Sequence, residues 1–140
     1  MERYICLDIG DKRIGVAVSD PFNSYALPVE TYTRKNLAKD LLKVQEYVKV
    51  KGATAIVCGR PVNFDGTESI QTKKADYFMQ KIKECLNVEV YAVDERCTTV
   101  EANEVLIAQG KSIKESKKYV DSLAATTILE SFLREKNKLK

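Results

Sequence analysis

The sequence predicts an α/β protein built on one five-stranded mixed sheet flanked by helices. Two observations carry that prediction. Three strand-like runs, Tyr4–Ile9, Ile14–Val18 and a stretch from Ala26 to Tyr32, precede the first helical pattern. After them, helical and strand periodicities alternate, which marks αβ units. Runs close enough to form hairpins pair antiparallel, while strands separated by helices pair parallel, so the sheet has to be mixed.

Tyr4-Ile5-Cys6-Leu7-Asp8-Ile9 is an apolar run that closes around a carboxylate. Gly10-Asp11-Lys12-Arg13 supplies a tight polar turn, and Ile14-Gly15-Val16-Ala17-Val18 returns as the second strand of a hairpin. Pro28 marks the third strand as an edge, because proline cannot donate to a ladder. Leu37, Leu41, Val44 and Val48 then recur at helical spacing, with Gly52 as the stop. Ala53 to Cys58 reads as a short buried strand. A loop from Gly59 to Gly66 follows, with Thr67 as the expected cap of the next helix. The buried stripe of that helix is Ala75, Phe78, Met79, Ile82 and Leu86. Val88 to Val93 is the fifth strand, closed by Asp94-Glu95. Thr98-Thr99-Val100-Glu101 fits a capping box for a helix reaching about Gln109, with Gly110 as its stop. A lysine-rich link from Lys111 to Lys118 leads to a last helix whose apolar stripe is Leu123, Ala124, Ile128, Phe132 and Leu133, before a polar tail from Arg134 that is expected to fray.

The 140 residues are the size of one domain, spanning 1–140, and no repeat or linker divides them. No apolar run approaches the ~18 residues needed to span a membrane. The N-terminus enters a strand at once, so the reading is a cytoplasmic protein without a leader. The four cysteines form no C-x-x-C pair and the chain has 0 histidines, which argues against structural zinc. Cys6 and Cys58 sit in apolar runs and read as small core residues. Lack of histidine also excludes Ser-His-Asp and Cys-His catalysis within this chain. A net charge of +3 permits nucleic-acid binding without requiring it.

Three carboxylates stand at element ends: Asp8 at the close of the first strand, Glu95 just past the fifth, and Asp121 at the expected start of the last helix. In open α/β sheets, sites gather beyond the carboxyl ends of the strands. Three acids without histidine form an oxygen-rich set suited to Mg²⁺ or Mn²⁺. A pair of such ions about 3.5–4 Å apart supports phosphodiester cleavage. Each acid also has an ordinary reading: Asp8 as a turn cap, Glu95 as a partner of Arg96, Asp121 as a helix-terminal acid favoured by the macrodipole. On pattern alone the two readings weigh evenly. Gly10 and Gly15 flank the hairpin turn, either to admit a phosphate or simply to make the turn.

Four motifs in order resemble the YqgF family: Asp8-Ile9-Gly10-Asp11-Lys12-Arg13-Ile14-Gly15-Val16-Ala17-Val18-Ser19-Asp20; Gly59-Arg60-Pro61-Val62-Asn63-Phe64-Asp65-Gly66-Thr67; Asp94-Glu95-Arg96-Cys97-Thr98-Thr99-Val100-Glu101-Ala102; and Asp121-Ser122-Leu123-Ala124-Ala125 with Ile128-Leu129. Members are described as Holliday-junction resolvases and as nucleases that mature the 5′ end of precursor 16S ribosomal RNA. The resemblance implies a ribonuclease H-like fold, with Asp8, Glu95 and Asp121 as the catalytic, metal-binding acids. Two positions depart from the family pattern: Arg60 stands where leucine is usual, and Phe64 where methionine is usual. The opening motif also resembles the phosphate loop of sugar kinases and actin-like ATPases, but 140 residues are too few for their second lobe.

Lys12, Arg13, Arg60 and Arg96 are the candidate contacts to a nucleic-acid backbone. Arg96 reads equally as a residue that holds Glu95 or Asp121 in place. Lys117 and Lys118 read as a solvated face. The expected activity is metal-dependent hydrolysis of structured RNA or branched DNA, foremost the 5′ end of pre-16S rRNA, with junction resolution as the alternative. A resolvase would act as a homodimer, a precursor-RNA nuclease as a monomer. A non-catalytic nucleic-acid-binding module and a nucleotide-binding regulator are the rivals. The acid set favours the enzyme, since binding alone gains nothing from concentrating negative charge near phosphates.

Overall fold

The computed structural model of the chain describes residues 2–63, 65–94 and 113–138, with the backbone alone described over 113–122 and 137–138. Five strands, β1 (Tyr4–Ile9), β2 (Arg13–Ser19), β3 (Ala26–Thr33), β4 (Ala55–Arg60) and β5 (Glu89–Asp94), form one sheet in the order β3-β2-β1-β4-β5. Pairing is antiparallel for β1–β2 and β2–β3, and parallel for β1–β4 and β4–β5, so the expected mixed sheet is present. β3 is an edge, and Pro28 lies beside a register shift between Val16 and Ala17, where a missing donor costs least.

Among the described residues three helices cover the sheet: α1 (Leu37–Lys51), α2 (Ile70–Cys85) and α3 (Ile113–Lys138). On one face α1 and α2 bury Val44, Tyr47, Ala75, Phe78, Met79 and Ile82 against Ile5, Leu7, Ile14, Val16, Ile56 and Cys58. On the other, Ala125, Ile128, Leu129 and Leu133 of α3 pack on Tyr4, Cys6, Ala17, Ala26, Ala55 and Val57. Small residues dominate this second face, which lets a long helix lie close to the strands. Phe132 closes it with an edge contact to Tyr4 at 5.1 Å and a tilted contact to Tyr91 at 5.2 Å.

The caps show what starts and stops these helices. Asn36 caps α1 through its side chain, and Gly52 ends it in the left-handed region at φ 66°. The cap of α2 is Ser69, not Thr67: Ser69 and Thr72 form a reciprocal capping box, and the Thr72 hydroxyl also donates to the Pro61 carbonyl. Thr67 is taken instead by Asp65, which accepts from its backbone N–H at 3.0 Å and its hydroxyl at 2.6 Å.

The last helix differs from expectation at both ends. It begins at Ile113, so most of the expected 111–118 link is helical. That segment, Ile113-Lys114-Glu115-Ser116-Lys117-Lys118, contains neither glycine nor proline and is rich in good helix formers, so its charge is no obstacle. At the other end the expected frayed tail is helical to Lys138, and Lys136 is tied to Glu2 at 3.6 Å and lies 5.5 Å over the Tyr4 ring. The expected helix from Thr98 to Gln109 lies outside the described residues.

A buried acid that the sequence reading passed over organises the corner between β3 and α1. Asp40, 1% exposed, accepts from the Tyr32 hydroxyl at 2.9 Å, Arg34 Nε at 2.9 Å and the Lys35 backbone N–H at 3.0 Å. Burial alone would raise its pKa, but these donors outweigh it and hold the carboxyl below the ordinary carboxylate range. Arg34 also donates Nη1 to the Gly10 carbonyl at 2.8 Å and its own backbone N–H to the Lys12 carbonyl at 2.8 Å, and it stacks 5.0 Å over Phe78. Gly10 in turn donates to the Arg13 carbonyl at 2.9 Å, and a Cβ at position 10 would lie 2.8 Å from that oxygen. Of the two readings for Gly10, its geometry supports the turn.

Two outcomes are expected. Asp40→Ala should lose about 3 kcal/mol in urea denaturation at neutral pH, because Arg34 and Tyr32 are left facing an empty site. The Asp40 carboxyl has a lowered folded pKa, so its contribution is full above the unfolded value and fades as pH falls below about 4. The gap between wild type and variant should therefore narrow in acid, and a gap that stays constant to pH 3 would mean that the charge is not what stabilises the corner. Gly10→Ala should cost about 1–3 kcal/mol, since a backbone carbonyl has to move; an unchanged denaturation midpoint would show that the turn relaxes freely.

Candidate active site

Asp8 is the penultimate residue of β1, the middle strand of the sheet, and it is half-buried. It alternates with Leu7 and Ile9, which face α1 and α2, and so it shares the face of Cys6, against which α3 packs. Directly across on β2 is Gly15. Opposed residues in an antiparallel pair present their side chains on the same face, so position 15 places no side chain beside the carboxylate.

The parallel register aligns the strand ends. Leu7 pairs with Cys58 and Cys58 with Ala92, so Asp8 lies one residue and Asp94 two residues beyond a common row. Both acids stand at the carboxyl edge of the parallel strands, the end expected for a site. Asp94 is the last residue of β5 and faces Arg60 in the register. Glu95 follows directly in sequence, but Glu95 and Arg96 lie outside the described residues.

Asp121 stands inside α3 and not at its start, because the helix begins at Ile113. The helix-terminal reading of this acid therefore lapses. Its position is one helical turn before buried Ala125 and two turns before buried Ile128, residues of the stripe that packs on the sheet. Among the described residues no three acids or cysteines group closely enough to hold a metal, and of the three expected ligands only Asp8 is described with its side chain.

The candidate cations divide into two kinds. Lys12 and Arg13 are exposed on the turn and the first position of β2, four and five residues after Asp8. Arg60 is engaged: it forms a two-pronged pair with Asp76 at 2.9 and 3.1 Å and a further bond to Glu68 at 2.7 Å. The Asp76 hydrogen bond comes first among the causes that raise its pKa. Arg60 thus ties the end of β4 to α2, and this accounts for an arginine at a position where the family pattern has leucine. Asp11, on the turn itself, is bound by Lys74 at 2.9 Å and by Gln71 at 2.8 Å, bonds that hold its carboxyl below the usual range. Arg34 and Asp40, which fix the turn, were missed by the sequence reading; an arginine–lysine pair just ahead of a helix cap was the available signal.

Comparison with known proteins agrees with this architecture. The family described as RuvX, Holliday junction resolvase, matches residues 2–135. A Clostridium acetobutylicum protein named "Putative pre-16S rRNA nuclease" is 40% identical over 131 residues, covering 94% of this chain and 97% of its own. A Fusobacterium nucleatum protein of the same name is 42% identical over 135 residues, covering 95% and 97%. Among solved structures, Thermus thermophilus RuvC in complex with a Holliday junction superposes with a TM-score of 0.59 at 14% identity, over 97% of this chain and 96% of that one. The fowlpox virus resolvase bound to junction DNA gives 0.58 at 13% identity, over 95% and 97%. At such identities these structures attest the fold, and the expected ribonuclease H-like α/β class is present. The family match runs almost end to end and the relatives align over nearly their whole length: the chain belongs to the RuvX Holliday junction resolvase family, a family of nucleases.

Proposed function

We propose that this nuclease hydrolyses phosphodiester bonds of structured RNA at the carboxyl edge of the sheet, its natural substrate being the 5′ end of precursor 16S rRNA. The single observation behind the location is Asp8, half-buried on the central strand, opposite a glycine, on the face covered by α3. The choice of RNA follows the two named relatives, each matched over nearly its full length. The fold is shared with junction resolvases, and junction cleavage is the second reading.

In this reading Asp8, Glu95 and Asp121 hold a divalent cation, Mg²⁺ or Mn²⁺. The donor chemistry fits: carboxylate oxygens, with no histidine in the chain to draw softer metals. When bound, the cation would lower the pKa of the attacking water and neutralise charge on the phosphate. Glu95 enters directly after β5, and Asp121 enters from α3 by its helical spacing to Ala125. Lys12 and Arg13, on the turn that Arg34 fixes, hold the strand by its phosphates. Arg96 steadies Glu95 or Asp121. Arg60, already held by Asp76 and Glu68, supports the loop after β4 and is not a primary phosphate contact.

The test is cleavage of a labelled 5′-extended rRNA precursor and of a four-way DNA junction, each with Mg²⁺, Mn²⁺ or EDTA. The precursor should be cut only with metal. Asp8→Asn should reduce cutting by more than about 100-fold, beyond the 10–100-fold typical of residues that merely orient a ligand. Preferential cutting of the junction would move the assignment to resolution. Binding of both without product at any metal concentration would replace the enzyme with a binding module. In a separate measurement, Lys12→Gln with Arg13→Gln should weaken substrate binding and flatten its salt dependence, while Arg60→Gln should mainly lower stability.

A further inference from the structure

On the α1–α2 side of the β1–β2 turn lies a groove of about 730 Å³, open along its length, whose lining includes Lys12, Arg34, Lys35, Lys73, Lys74 and Tyr77. Two of these cations are neutralised locally, Arg34 by Asp40 and Lys74 by Asp11, each at 2.9 Å. Lys12, Lys35 and Lys73 are exposed and give the groove a net positive charge.

The α2 wall is ordered in a way that core packing does not require. Ile70, Lys73, Lys74 and Tyr77 follow the i, i+3, i+4, i+7 spacing of one helical stripe, and all four line the groove. The stripe faces solvent: Ile70 is 73% and Tyr77 55% exposed, while the buried stripe of the same helix is Thr72, Ala75, Phe78, Met79 and Ile82. Lysines near a helix start oppose the macrodipole; the first turn of α2 has no acid, and the pair with Asp11 offsets Lys74 but not Lys73. A local preference broken without a packing gain points to a ligand.

We propose that this groove carries a single-stranded flank of the nucleic acid, with Lys35 and Lys73 on its phosphates and Tyr77 stacked on a base. Spaced cations beside an exposed aromatic side chain match a single strand, whose bases are free to stack. A duplex would keep its bases paired inside and leave Tyr77 unused. The groove meets the proposed cleavage edge at Lys12, so a strand cut at Asp8 would cross the β1–β2 turn and continue between the turn and α2. The proposal rests on the reading of that edge as a nuclease site and adds a second contact region, on the opposite face of the sheet from Asp8.

The test is binding of an unstructured oligouridylate across a salt series in EDTA, using wild type, Lys35→Gln with Lys73→Gln, Tyr77→Ala, and a control, Lys49→Gln with Lys51→Gln, at the far end of α1. The control carries the same change in net charge. All these residues are exposed or half-buried, and thermal unfolding checks that each variant folds. The groove pair should flatten the slope of log K against log salt by about 1.4, two phosphate contacts on a single strand. Tyr77→Ala should weaken binding by roughly five-fold or more with the slope retained. A groove pair whose slope matches that of the control overturns the proposal. So does unchanged affinity in Tyr77→Ala together with equal loss on duplex RNA, which would make the groove a duplex contact. The precursor cleavage assay separates the two readings. Lost slope in the groove pair with no cleavage by wild type leaves the groove standing and removes the nuclease edge. Cleavage that depends on Asp8 with an unaltered slope does the reverse.

Discussion

A buried carboxylate with its three donors sets the geometry around which the rest of the proposed site is arranged. Removing Asp40 from water is costly, and only donors drawn from around it make the burial tolerable. Those donors come from the end of β3, from the linker, and from Arg34, whose other nitrogen reaches back to the turn after β1. The same guanidinium therefore satisfies a buried acid and fixes the turn that follows Asp8. A carboxylate site needs its backbone held to within a fraction of an ångström. Here the holding is electrostatic, charge-assisted on both sides, and lies on the sheet face away from the acid it positions.

The two faces of the sheet divide the labour. The α1–α2 face is bulky, with Phe78, Tyr47 and branched aliphatics. The α3 face is lined by alanines and a cysteine, with Tyr4 and Phe132 sealing one end. Small residues allow α3 to approach the strands, and in the proposed site that approach would bring Asp121 toward the face that carries Asp8. Gly15 continues the logic: directly across from Asp8, it adds no side chain of its own to that face. The sheet order β3-β2-β1-β4-β5 matters for the same reason, since it sets β1 between an antiparallel hairpin and a parallel pair, where strand ends converge on one edge.

Much of this was legible in the residues, and the exceptions have physical causes. Strand order of appearance, the edge character of β3, the Gly52 stop and the apolar stripes of α1 and α2 all follow from period and punctuation, which are local properties. Ser69 was passed over for Thr67 because both are good caps, and the choice was made by Asp65, which captures Thr67 in a turn. The start of α3 was misplaced because a run of charge was read as a linker, when lysine and glutamate propagate a helix well. Asp40 was invisible because an acid one turn inside an amphipathic helix ordinarily faces water; only tertiary donors reveal why it does not. The two carboxylate partners of Arg60 come from α2 and the preceding loop, contacts that no local pattern announces. The candidate acids were visible as a set through their motifs; of their geometry, the sequence offered only a position at element ends, which Asp8 keeps on β1 and Asp121, inside α3, does not.

The placement of charge also bears on how a nuclease of this size can work. A cluster of carboxylates repels the phosphate it has to cut, so counter-charge must be supplied nearby without neutralising the acids themselves. In this chain arginines near the edge are largely committed to structure: Arg34 to Asp40, Arg60 to Asp76 and Glu68. Cations that face solvent on the turn and along the groove are mostly lysines, flexible point charges that follow a backbone without reading sequence. Arg60, two-pronged on Asp76, and Arg34, shared between Asp40 and the Gly10 carbonyl, hold the frame rigid, and in the proposed reading the lysines on that frame meet the substrate. That division assigns precision to the protein's own geometry and leaves tolerance to its solvent-facing charge, which suits the proposed substrate, a structured end more than a run of bases.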